Sequence, residues 1–262
     1  MLVDSHCHLD FPELAGDIDA VLALMRENGV THALCVSVTL QDFPRVRALA
    51  EAHPQLYATV GVHPDYPDVP EVGVDELIEL ARHPRILGIG ETGLDYLRIK
   101  DDCEWQRERF RNHIRSARRC GKPLIVHMRE AAPDTLRIMR EERADEVGGV
   151  MHCFTETWEV AKAAMDLGFY ISFSGIVTFK NARALKEVAR QVPLERMLIE
   201  TDSPYLAPVP YRGKTNQPGF VKYVAEEIAR LHDVTPERVG DKTSINFFKL
   251  FNVKENDIHV KS

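Results

Sequence analysis

Short apolar, β-branched runs alternate with amphipathic stretches along almost the whole chain. The runs are LVDSH from Leu2, THALCVSV from Thr31, LYATVGVH from Leu56, ILGIGE from Ile86, PLIVHM from Pro123, GGVMHCF from Gly148, FYISFSG from Phe169 and MLIETD from Met197. Between them lie segments such as DIDAVLALMREN, VDELIELARH, WQRERFRNHIRSARRC and WEVAKAAMDLG. Their apolar residues recur at three- and four-residue spacing, the period of a helix that buries one face. Gly29, Gly121 and Gly168 stand where the helix C-terminal caps would fall.

A strand, a helix and a second strand in succession predict parallel pairing, because a parallel connection has to cross back over the sheet. Eight such units with buried strands predict a closed (β/α)8 TIM barrel of the α/β class, in a single domain. An open doubly wound sheet would want a glycine-rich phosphate loop after an early strand, and the sequence has none. Residues 1–252 read as the barrel, with two or three closing helices from Gly219 to Asn252. Residues 253–262 read as a polar C-terminal tail.

Composition narrows the class. The 262 residues are 44% hydrophobic and 28% charged, ordinary for a globular chain. No apolar run reaches the ~18 residues of a membrane span. No basic segment precedes a long apolar core at the N-terminus, so no secretory signal is expected. The five cysteines form no C-x-x-C pair and are odd in number, which predicts free thiols in a reducing cytoplasm. A net charge of −7 argues against a protein that coats long duplex DNA, but leaves room for an enzyme that handles nucleic-acid ends at a local metal site.

Candidate chemistry gathers at the strand ends. His6 and His8 are two apart on the first strand and so share a face. Two buried imidazoles side by side need partners, and a metal ion satisfies both. In the fourth, fifth, sixth and eighth runs, Glu91 ends ILGIGE, His127 ends LIVH, His152 ends GVMH and Asp202 ends MLIETD. Barrel enzymes build their sites at this mouth. Alternation places Ile89, Ile125 and Val150, each two residues earlier, on the same inward face. Any one of the six would pass for a satisfied polar group; six of ligand type at five strand ends would not. They are too many for one tetrahedral zinc, and a two-ion site bridged by a carboxylate uses them all. His32, His53, His83, His113, His232 and His259 lie in helices, helix ends or the tail and read as structural or surface residues.

The sequence resembles the TatD family of metal-dependent deoxyribonucleases, within the amidohydrolase-type barrel superfamily. The resemblance rests on DSHCHLD, GVHP (Gly61 to Pro64), GIGETGLDY (Gly88 to Tyr96), HMREA, HCF, SGIVTFKNA, ETDSPYLAP (Glu200 to Pro208) and RGKTNQP. It covers residues 1 to about 252. Thr155-Glu156 and Tyr96-Leu97 depart from the family pattern on loops above the site. The resemblance implies one divalent ion on His6, His8, Glu91 and Asp202, and a second on Glu91, His127 and His152. Mg2+, Mn2+ and Zn2+ all remain open as the metal.

Asp202 is expected to double as the base for the attacking water. His63 is expected to hydrogen-bond a phosphate or leaving group, or to support a ligand. Glu200 would orient a ligand or pair with a cation; Arg129 would hold a phosphate oxygen or make a surface ion pair. Lys180, Arg183, Arg212 and Lys214 would form a cationic collar or a solvated scatter, and Phe179, Tyr205 and Tyr211 would stack a base or cover the rim. The expected activity is metal-dependent cleavage of phosphodiester bonds at DNA ends or in single-stranded DNA. The alternative is hydrolysis of a small amide, lactone or phosphotriester by the same site. No membrane partner is expected, and the oligomeric state stays open, a monomer among the possibilities.

Overall fold

The structure is a computed structural model in which residues 1–98 and 103–253 are described. Eight strands form one parallel sheet in sequence order: β1 (Leu2–Cys7), β2 (Val30–Cys35), β3 (Leu56–Val60), β4 (Ile86–Asp95), β5 (Leu124–Arg129), β6 (Gly149–Met151), β7 (Phe169–Phe173) and β8 (Met197–Ile199). A parallel bridge between Cys7 and Ser203 and a hydrogen bond from Asp202 N–H to His6 O (2.9 Å) join the last strand to the first. The (β/α)8 barrel in one domain is thus what the alternating pattern predicted. Gly29, Gly121 and Gly168 all have positive φ at helix ends. At Gly121 the left-handed residue follows the long helix Glu104–Cys120, where a side chain would add strain.

The apolar residues separate into two layers. The larger lies between strands and helices and includes Leu34's neighbours Ala33 and Cys35, with Val46, Ile114 and Ile171. The smaller fills the barrel itself: Val3, Leu34, Tyr57, Ile125, Val150, Tyr170 and Leu198, closed at the strand N-termini by Phe247 and Phe248 from the helix Pro236–Leu250 and by Phe251 just after it. That helix and Val221–His232 are the closing helices expected after Gly219. Val253 still packs on the interior cluster; the tail beyond it lies outside the described residues. No helix among the described residues is long and apolar enough to cross a membrane.

Strict alternation fails on the two strands that matter most. On β1, Asp4 pairs with Ala33 but Cys7 with Cys35, so one residue is extra. Below this bulge Val3 and Ser5 face the interior, Ser5 Oγ bonding Ser172 Oγ and Ile199 O. Above it, His6 and His8 face the mouth and Cys7 the outer layer. On β4, Ile89 pairs with Leu124 but Thr92 with Val126. The expectation that Ile89 shares the inward face of Glu91 is therefore corrected: Ile89 packs in the outer layer, and Leu87 meets the interior cluster instead. Bulges re-aim side chains in this way at barrel rims.

Candidate metal centre

The bulges and strand ends bring all six ligand-type residues to one mouth. Glu91, 2% exposed, is at the centre. Its Oε2 lies 3.2 Å from His6 Nε2 and 3.8 Å from His8 Nε2; its Oε1 lies 2.7 Å from His152 Nε2 and 3.2 Å from His127 Nδ1. Asp202 Oδ1 lies 3.4 Å from His8 Nε2 and 3.7 Å from His6 Nε2. Asp202 adopts a left-handed backbone (φ 56°), as does Cys153 beside His152 (φ 43°). Such strain, of order 1–3 kcal/mol each, persists where surrounding structure imposes it; here the Asp202 N–H is tied to β1.

Hydrogen bonds on the far side of each ring fix what it presents to the centre. His8 Nδ1 donates to Val36 O (3.0 Å), His127 Nε2 to Asp95 Oδ2 (3.1 Å) and His152 Nδ1 to Glu200 Oε1 (3.1 Å). In their neutral forms all three therefore aim a lone pair at the carboxylate oxygens of Glu91 and Asp202. A buried cluster of acceptors facing acceptors is repulsive unless cations stand among them. His152 Nε2, although 2.7 Å from Glu91, has no hydrogen bond. Electrostatics points the same way. Burial acts downward on His8, but Asp202 and Glu91 outweigh it and push the imidazole up to about 9. Burial acts upward on Glu91, but His152, His63, His6 and His127 outweigh it and hold the carboxyl well below the usual range. The donor set of imidazole nitrogens and carboxylate oxygens fits divalent metal ions.

His63 lies 3.3 Å from both Glu91 Oε1 and His127 Nδ1, close enough to be counted with the ligands. Its tautomer argues otherwise. The Asp65 N–H donates to His63 Nδ1 (2.9 Å), so the proton is on Nε2, which points into the site as a donor. Glu200, fully buried, orients His152 and also accepts from the Cys153 N–H (2.8 Å), the supporting role among those expected. Asp95 had no role in the sequence reading. It stands in GETGLDY, four residues after Glu91, and only its meeting with His127 across the β4–β5 pair reveals it.

The centre opens into a cavity of ≈ 470 Å³ lined by His63, Arg129 and Tyr205 among the expected residues, and by Phe11, Tyr66 and Arg98 besides. Arg212 does not line it: its guanidinium sits 3.9 Å from the Phe179 ring. Tyr211 stacks on Phe220 at 4.2 Å. Lys180 and Lys214, on exposed loops, and Arg183, exposed at the start of the helix Arg183–Gln191, also lie off the cavity. Of the three aromatics singled out in the sequence, Tyr205 alone faces the site. His113, expected to be structural, is buried in the helix Glu104–Cys120 and accepts from the Val62 N–H.

A family model described as "TatD related DNase" matches residues 3–252. An uncharacterised metal-dependent hydrolase of Escherichia coli K12, YcfH, is 48% identical over 255 residues, covering 96% of each chain. The 3'-5' ssDNA/RNA exonuclease TatD of Edwardsiella piscicida is 31% identical over 259 residues, covering 96% of this chain and 100% of that one. Among solved structures, the TatD homologue YJJV of Escherichia coli K12 is similar with a TM-score of 0.91 at 28% identity, covering 97% of this chain and 98% of the other.

Proposed function

This chain belongs to the TatD related DNase family and is a metal-dependent hydrolase; from that premise we propose that it cleaves phosphodiester bonds of DNA at ends or in single strands, using two divalent ions. The observation that carries the reading is the central carboxylate. Glu91 turns one oxygen to His6 and His8 and the other to His127 and His152, dividing the donors into two sets that share a bridge. Asp202 completes the first set beside His6 and His8. Two ions held there would lower the pKa of a bound water toward ~7 and neutralise charge on the phosphate. The nitrogen-rich donors suit Zn2+ or Mn2+ better than Mg2+, which prefers oxygen.

The chain's own groups supply the rest. Asp202 is placed to orient the attacking water and accept its proton. His63 presents an N–H to the site and serves the phosphate or the departing oxygen. Arg129, exposed at the rim, holds a phosphate oxygen. The relative named a single-strand exonuclease supports substrates with free ends. Free thiols at Cys7, Cys35, Cys120 and Cys153 support a reducing, cytoplasmic setting.

The test combines elemental analysis with digestion of end-labelled oligonucleotides. Wild-type protein is expected to retain about two ions per chain, to lose cleavage on chelation and to regain it with Mn2+ or Zn2+. Glu91→Gln is expected to hold fewer than one ion and to cleave at least ~1,000-fold more slowly. Full retention of metal by that variant would remove the bridging assignment.

A further inference from the structure

The mouth of the barrel is chemically lopsided. Phe11, after β1, lies over the ligand His8 with ring centroids 4.9 Å apart and planes 20° apart. It meets Tyr205, after β8, in a T-shaped contact with ring centroids 6.1 Å apart and planes 76° apart. Both rings line the cavity above the metal ligands. Strands β4 and β5 lie across the barrel from β8 and β1. There the cavity is lined by two guanidinium groups, Arg98, which pairs with Asp65, and Arg129.

Tyr205 is 52% exposed, and among the large apolar side chains of the described residues only Ile245 is more open to solvent. Its backbone is nevertheless held firmly. The Tyr205 N–H donates to Asp202 O (3.0 Å), and Asn216, itself fully buried, donates from Nδ2 to Tyr205 O (2.6 Å) and to Thr201 O (2.9 Å). The ring is thus offered to solvent from a stiff turn three residues beyond a metal ligand. A partner that covers it gains burial without ordering a loop.

We infer that Phe11 and Tyr205 form a stacking wall for an unpaired nucleobase next to the scissile phosphodiester, with Arg98 and Arg129 taking the neighbouring phosphate across the mouth. The inference rests on the phosphodiesterase reading and narrows its substrate to strands whose base is free at the cut. A base inside a duplex has both faces covered by its neighbours and cannot meet the wall. A ring face suits any base, so the wall selects for single strands without selecting sequence.

The test uses metal-replete wild type, Tyr205→Ala and Tyr205→Phe on a single-stranded oligonucleotide. The same strand with an abasic residue on one or the other side of the cleaved bond serves for comparison. Tyr205→Ala is expected to lose ~5- to 100-fold in kcat/KM on the intact strand. Tyr205→Phe, which keeps the ring, is expected within about twofold of wild type. One abasic strand is expected to be a poor substrate for wild type, with the further loss on Tyr205→Ala shrinking to less than about threefold. A 2-aminopurine at that position is expected to be quenched on binding to wild type and much less on binding to Tyr205→Ala. An equal loss on intact and both abasic strands, no loss at all, or a fall in the metal content of Tyr205→Ala would overturn the wall alone. Failure of wild type to cleave any oligonucleotide would overturn the nuclease reading and the wall with it.

Discussion

His63 and His127 stand 3.3 Å apart with opposite hydrogen-bonding characters, and the difference comes from the groups behind them. A backbone N–H behind His63 makes it a donor toward the site; a carboxylate behind His127 makes it an acceptor. Replacing Asp95 by Ala is expected to weaken metal retention ~10- to 100-fold, with Asp95→Asn milder because its amide oxygen still accepts. Competition against a chelator measures it, and unchanged affinity in Asp95→Ala would remove the positioning role. His113 illustrates the other fate of a buried imidazole. Burial is the main cause that brings it down to about 4. The unfolded chain takes up this proton near ~6.5, so the unfolded state binds more protons between about 6.5 and 4. Stability should therefore fall with pH through that window, by up to ~1.4 kcal/mol per unit from this residue. Urea unfolding at several pH values should show a shallower slope for His113→Gln; an identical slope would contradict it. The six candidate ligands were legible as residue types at strand ends. Asp95 was not, because its function is defined by a residue 32 positions away.

Among the elements, β4 does the most to shape the site. Its bulge between Ile89 and Thr92 turns Glu91 into the mouth, and its last residues run tightly against β5. Gly93 has φ 135°, and a Cβ there would lie 1.9 Å from His127 O. Gly93→Ala is expected to push β5 away and cost at least ~2 kcal/mol, with loss of metal on the His127 side. Chemical denaturation and elemental analysis check both, and a variant as stable and metal-replete as wild type would show that the strands have room to part. Periodicity revealed that β1 and β4 exist but misassigned phase within β4, since a bulge leaves no mark in an apolar run.

At the scale of the whole molecule, the barrel separates stability from chemistry along its axis. Phe247 is fully buried in the plug at the strand N-termini, whereas the candidate metal ligands cluster at the C-terminal mouth. Phe247→Ala is expected to cost ~3–5 kcal/mol and lower the melting temperature by roughly 10 °C, while metal stoichiometry below the transition stays at the wild-type value. Thermal unfolding with metal analysis tests this; loss of metal without loss of stability would contradict the separation. Period, order and strand-end chemistry are local properties that survive in one dimension, so the eight-unit parallel barrel, the family and the six converging residues could be read from the residues in order. Tertiary structure alone decided which way the bulged strands turn, which imidazole nitrogen faces the centre, and that Tyr205 but not Arg212 or Tyr211 reaches the cavity. Those outcomes depend on contacts between residues far apart in the chain, and the packing of a closed cylinder is what selects among them.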